Sequence, residues 1–105
     1  MSDLQWTDAA PVDDVPADDV IGILVDGHDV ALYSVEGQIY ATDNICTHAF
    51  ALLTDGFLDG DVIECPLHGG CFKVKTGEGM GAPISEDIKT YPVRVTDGTI
   101  EVRIS

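Results

Sequence analysis

An all-β fold is predicted for this 105-residue chain by three features of its sequence. Turn signals of the X-Gly type recur along it, at Asp26-Gly27, Glu36-Gly37, Asp55-Gly56, Asp59-Gly60 and Asp97-Gly98. Between them stand short runs of β-branched and aromatic residues, the types that fit a pleated surface. No window sustains a helical period. Strands bounded in this way read as antiparallel hairpins in a sandwich or small barrel.

Trp6 is expected to cap the core, the usual place of a lone Trp. Residues 9–19 carry Pro11, Pro16 and the acids Asp13, Asp14, Asp18 and Asp19, and read as an exposed loop with room for one helical turn. Strands are expected over 20–25, 29–35, 38–42, 62–65, 71–75, 88–95 and 99–104. The last is the plainest, since Ile100, Val102 and Ile104 alternate with Thr99, Glu101 and Arg103, one face apolar and one polar. Residues 77–85, with three glycines and Pro83, form a loop. No repeat or linker interrupts the chain, so residues 1–105 are read as one domain.

Hydrophobic residues make up 45% of the chain, enough for an ordinary core and against disorder. A chain of this size folds without a disulfide scaffold. Nineteen acids face five bases, for a net charge of −14, which makes a phosphate backbone or an anionic membrane a poor partner. No Lys or Arg precedes Lys73, whereas fourteen Asp and Glu do. Such a surface keeps a protein soluble, and it also steers basic partners; charge alone does not choose between the two. No apolar run approaches the roughly 20 residues of a spanning helix, and residues 1–5 lack the basic start of a signal peptide. A soluble, cytoplasmic protein is expected.

The cysteines narrow the function. There are three, Cys46, Cys65 and Cys71, where a secreted disulfide framework normally has an even number. Two have a histidine close behind, in Cys46-Thr47-His48 and Cys65-Pro66-Leu67-His68, out of only three histidines. One such pair is commonly accidental, and a buried Cys is often a small apolar filler. Two pairs, each in a turn after a strand, point to one metal centre gripped by two loops. Structural zinc is the rival, because two Cys and two His satisfy its tetrahedral preference. A zinc finger, however, keeps its cysteines in one pair and its histidines in the other. Mixed pairs on two β-loops match instead the Rieske [2Fe-2S] centre, in which two histidines replace two cysteines on one iron.

Cys46-Thr47-His48 and Cys65-Pro66-Leu67-His68-Gly69-Gly70 resemble the two halves of the Rieske signature. The surrounding chain is similar to the small Rieske-type ferredoxins of bacterial aromatic-ring-hydroxylating dioxygenase systems, of the naphthalene, biphenyl and carbazole kinds. The likeness takes in Ile39-Tyr40-Ala41-Thr42-Asp43-Asn44, Asp61-Val62-Ile63-Glu64, Cys71-Phe72-Lys73-Val74 and Tyr91-Pro92-Val93. It implies a Rieske fold: an antiparallel β-sandwich with a cluster-binding subdomain, about residues 43–82, inserted between its strands. It also implies one [2Fe-2S] cluster, with Cys46 and Cys65 on one iron and His48 and His68 on the other. Two neutral imidazoles in place of two thiolates leave the centre less negative, so an electron is added more easily. Gly69 and Gly70 would let backbone N–H groups approach the cluster, and Pro83 matches a loop that covers it.

By the same resemblance the chain is an electron carrier and not an enzyme. Its partners are a flavin-dependent, NAD(P)H-oxidising ferredoxin reductase as donor and the Rieske centre of a terminal oxygenase as acceptor, and it works as a monomer. Respiratory Rieske proteins add a Cys in each loop and join the two in a disulfide; Ala51 and Leu67 stand there, so that bridge cannot form. This points to the soluble ferredoxin branch and to the lower part of a range of roughly −150 to +300 mV. An oxygenase subunit would need a further iron held by two histidines and a carboxylate, and only His28 remains. A nitrite reductase small subunit and a zinc-binding interaction module are the alternative readings. Cys71, outside the signature, is expected as a buried thiol and His28 as a solvated turn residue. Tyr40, Phe50, Phe72 and Tyr91 are expected in packing roles.

Overall fold

Ten strands form in the structure, a computed structural model that describes residues 6–47, 50–67, 69–82, 84 and 86–104. They are β1 (Thr7–Pro11), β2 (Val20–Val25), β3 (His28–Val35), β4 (Gln38–Asp43), β5 (Phe57–Asp59), β6 (Val62–Glu64), β7 (Cys71–Lys73), β8 (Thr90–Tyr91), β9 (Val93–Thr96) and β10 (Thr99–Val102). Among the described residues the helical pieces are two short 3-10 turns, Val12–Asp14 and Leu53–Asp55. Among the described residues every strand pair is antiparallel, in three sheets of order β1-β10-β9, β2-β3-β4-β8 and β5-β6-β7. The chain is all-β, as its turn spacing predicts.

Three of the X-Gly signals close two-residue hairpins in which both turn residues have positive φ: Asp26-Gly27, Glu36-Gly37 and Asp97-Gly98. That backbone matches the twist of the flanking strands, which is why Gly is needed at the second place.

Strand β3 explains how the rest is arranged. Its residues from Val30 to Val35 are all buried, so it reads as a continuous apolar run rather than an alternation. Val30 and Leu32 point into one core, shared with Val25, Ala41, Tyr91, Ile100 and Val102. Ala31, Tyr33 and Val35 point into a second, shared with Cys46, Leu53, Ile63, Cys65, Phe72, Val74, Ile84 and Ile88. One face of the four-stranded sheet therefore packs on β1-β10-β9, and the other supports the region that holds both signature cysteines.

The differences from expectation have local causes. The run 88–95 breaks into β8 and β9 at Pro92, which has no N–H for a ladder; β8 pairs with β4, while β9 pairs with β10 in another sheet. β1 lies partly inside the stretch read as a loop. Its Asp, Ala and Pro are poor strand formers, and pairing with β10 across a bulge overrides them. Strand β5 has three residues, too few to show a period. The Arg94 and Arg103 guanidiniums lie over Trp6, 4.5 and 5.2 Å from its ring centre, as cation–π contacts. Phe72 and Tyr91 are core and Tyr40 packs against it, but Phe50 is fully exposed, contrary to expectation. No helix among the described residues is long and apolar enough to cross a membrane.

Candidate metal centre

Cys46 and Cys65 sit at equivalent places in two loops of matched construction. The first is closed by an antiparallel bridge between Ile45 and Leu52, and the Cys46 N–H donates to the Ala51 carbonyl at 2.9 Å. The second is closed by the Glu64–Cys71 pair of the β6-β7 hairpin, and the Cys65 N–H donates to the Gly70 carbonyl at 2.6 Å. In each, the cysteine follows the closing residue directly. Gly69 supplies the positive φ of +69° that turns the second loop.

What holds each loop is distinct. Behind the second lies Gly56, where a Cβ would stand 1.9 Å from the Glu64 carbonyl oxygen, so β5 can approach β6 this closely only without a side chain. At the base of the first lies Asn44, buried and using all of its side-chain hydrogen-bonding groups. Its Nδ2 donates to Asp29 Oδ1 at 3.0 Å and to Thr54 Oγ1 at 3.2 Å, and its Oδ1 accepts the Thr54 N–H at 3.0 Å. Its backbone N–H donates to Asp29 O at 2.9 Å and its carbonyl accepts the Leu53 N–H at 2.7 Å. Gly22 makes room for that amide, since a Cβ there would lie 2.9 Å from Nδ2.

A third segment folds back over both. Gly79 bridges to Phe72, the Met80 N–H donates to the Cys71 carbonyl at 2.9 Å, and the Ile88 N–H donates to Gly77 O at 2.8 Å. The Thr47 hydroxyl donates to the Glu86 carbonyl at 3.0 Å, tying the first loop to this segment, and Ile84 packs into the core that contains both cysteines.

The two signature thiols are brought together. Cys46 and Cys65 are both buried, and no disulfide involves any of the three cysteines. Burial pushes the Cys65 thiol up, a backbone hydrogen bond at Leu67 lowers it in part, and the adjoining Cys46 thiol raises it further. Two adjacent buried thiolates therefore need a positive charge beside them, and neither loop contains a Lys or Arg. A ferric ion fits that donor set. His48, His68 and Pro83 lie outside the described residues, so no group of three or more metal-binding side chains forms among those that are described.

Cys71 stands apart from the pair. It is half-buried rather than core, with Sγ donating to Gly69 O at 3.5 Å; burial and then the Glu64 carboxylate raise its thiol. His28 is exposed beside its turn, Nδ1 3.2 Å from Asp26 O. Nothing local in the sequence marks Asn44, whose side-chain partners are 15 and 10 residues away.

The chain has relatives among known proteins. The Rieske [2Fe-2S] domain family matches residues 5–92. A ferredoxin component of naphthalene 1,2-dioxygenase/salicylate 5-hydroxylase systems from Ralstonia is 52% identical over 99 residues, 94% of this chain and 95% of that protein. The solved ferredoxin of Sphingomonas yanoikuyae B1 superposes with a TM-score of 0.91 at 37% identity, covering 96% of this chain and all of that one. A ferredoxin solved in complex with the oxygenase of carbazole 1,9a-dioxygenase gives 0.87 at 37% identity, over 93% and 92% of the two chains. This chain belongs to the Rieske [2Fe-2S] domain family, and its cofactor is one Rieske-type [2Fe-2S] cluster.

Proposed function

We propose that this chain is the ferredoxin of a dioxygenase system, a one-electron carrier between an NAD(P)H-dependent flavin reductase and the Rieske centre of a terminal aromatic-ring-hydroxylating oxygenase. The observation that carries the reading is the pair of buried, adjoining cysteines on twin loops, in a chain 52% identical to a ferredoxin component of such a system. Cys46 and Cys65 hold one iron, and His48 and His68, two and three residues further along their loops, hold the other. When bound, the cluster takes up and releases one electron.

The chain's own residues do the rest. Their task is to keep the ligands still, so that little rearranges when charge changes. The Asn44 hydrogen bonds fix the first loop, the β6-β7 hairpin fixes the second, and Thr47 fastens the first to the segment above. Phe50 and Leu67, one exposed on each loop, offer a partner apolar ground beside the cluster. The whole is read as one domain in which residues 43–82 form the cluster-binding part, working in the cytoplasm as a monomer. The experiment is reconstitution with purified reductase and oxygenase components of a naphthalene dioxygenase system, following NADH-driven product formation. Turnover that requires this chain supports the proposal, and a cluster-loaded chain that neither accepts electrons from the reductase nor supports turnover overturns it.

A further inference from the structure

The exposed apolar surface does not stop at the tips of the two loops. Ile45 and Leu52 face each other across the bridge that closes the first loop, and they are 49% and 37% exposed. Together with Phe50 and Ala51 they line a shallow hollow of about 190 Å³. Leu52 also lines a second hollow of about 310 Å³, whose far wall includes Leu24 of edge strand β2, 72% exposed. The two hollows share Leu52, so exposed apolar side chains recur in a strip from Phe50, through Ile45 and Leu52, to Leu24, with Gly22, Asn44 and Thr54 between the last two. Monomeric surfaces seldom group several large exposed apolar side chains without a partner for them.

The charges around the strip say what covers it. Asp29 lines the second hollow, Asp26 is exposed at the end of β2, and Asp55 is exposed beside Thr54. No base lies before Lys73 in the sequence, and those that follow are engaged elsewhere. Lys73 pairs with Glu78, Lys75 with Glu36 and Arg94 with Glu101, while Lys89 lies over Tyr91 and Arg103 over Trp6. A second copy, also at −14, would bring acid against acid, and an anionic bilayer would do the same. A protein surface with an apolar patch inside a basic rim complements both features.

We propose that the strip Phe50–Ile45–Leu52–Leu24 extends the docking face from the cluster loops down to β2, where an electron-transfer partner with an apolar, basic-rimmed surface seats. This rests on the carrier reading above, because the strip begins on the cysteine-bearing loop, one residue from its Ala51 closing contact. Leu24 is the informative position: it is far from the ligands in the chain, and its side chain is mostly in solvent, so changing it does not disturb the core.

The test uses the cluster-loaded chain with the same reductase and oxygenase components. Leu24→Thr, which keeps a strand-compatible β-branched residue, should raise the half-saturating concentration of the chain about tenfold with at least one of the two partners. Its visible and paramagnetic spectra, and its reduction by dithionite, should match wild type. Leu24→Lys should be worse still, and the excess over Leu24→Thr should shrink as salt screens the repulsion. Val95→Thr, on the opposite sheet, should behave as wild type. Saturation unchanged with both partners in Leu24→Thr overturns the strip while wild-type turnover keeps the carrier reading. A sedimentation shift showing a dimer that Leu24→Thr dissociates also overturns it, by identifying a second copy as the occupant. Absence of wild-type turnover removes the carrier reading and this inference with it.

Discussion

Replacing Asn44 by Ala removes the polar clamp at the base of the first loop. Three side-chain hydrogen bonds go at once: one to the Asp29 carboxylate and two with Thr54. A buried neutral hydrogen bond contributes about 1 kcal/mol, and one to a charged group about 1.5–3. Asp29 and Thr54 are only half-buried, so water recovers part of what they lose, and a net cost of about 3 kcal/mol follows. That is a large share of the roughly 5–15 kcal/mol that holds a domain together. At about 4–8 °C per kcal/mol for a domain near this size, the midpoint should fall by roughly 12–24 °C. The assay is thermal unfolding by far-UV circular dichroism, with visible absorbance recorded alongside to follow cluster loss. Asn44→Asp adds a second test: the amide that donates to Asp29 becomes an acceptor facing an acceptor, so its midpoint at neutral pH should fall at least as far as that of Asn44→Ala. A midpoint for Asn44→Ala within about 4 °C of wild type would refute the clamp.

Gly56→Ala should cost more than Gly37→Ala, since the added Cβ meets the Glu64 backbone at 1.9 Å in the first case and open space in the second. Gly37→Ala still carries left-handed strain of about 1–2 kcal/mol, and urea titration separates the two. Cys65→Ser should abolish iron binding while Cys71→Ser leaves the iron content at the wild-type value, measured on purified protein. Burial raises Tyr33, and burial with the Asp43 hydrogen bond raises Tyr91. Both stay protonated when folded as unfolded tyrosines ionise, so stability should fall above about pH 10, less so in Tyr91→Phe, as read by denaturation midpoints against pH. Electron transfer to the oxygenase should slow as salt rises, because the Debye length shortens from about 10 Å at 0.1 M; stopped-flow rates indifferent to salt would leave the acidic surface a solubility device.

The fold is legible in the sequence where local chemistry decides it. X-Gly pairs set three hairpins, and the alternation of Ile100 and Val102 places β10. It is least legible where a distant partner decides: β1 is a strand only because β10 is beside it, and Pro92 breaks a run whose halves belong to different sheets. The centre divides in the same way. Donor types and their spacing are visible in a chain, so Cys46 and Cys65 stand out from the order of residues alone. The Asn44 clamp does not, because its partners come from β3 and from the Leu53–Asp55 turn. Aromatic residues are usually core, which is why Phe50 is expected inside; its place on a loop tip depends on the bridge that closes the loop. Cys71 faces partly outward because its strand ends at the second loop, where the sheet no longer covers it.

Cys46, His48, Cys65 and His68 together are proposed to hold one iron–sulfur cluster. The iron and acid-labile sulfide content of the anaerobically purified chain tests this, with the paramagnetic signal of the reduced form recorded for wild type and His68→Ala. About two irons and two sulfides per chain are expected, and a signal that His68→Ala removes. Zinc in place of iron, no labile sulfide, or a signal that survives His68→Ala unchanged would contradict it.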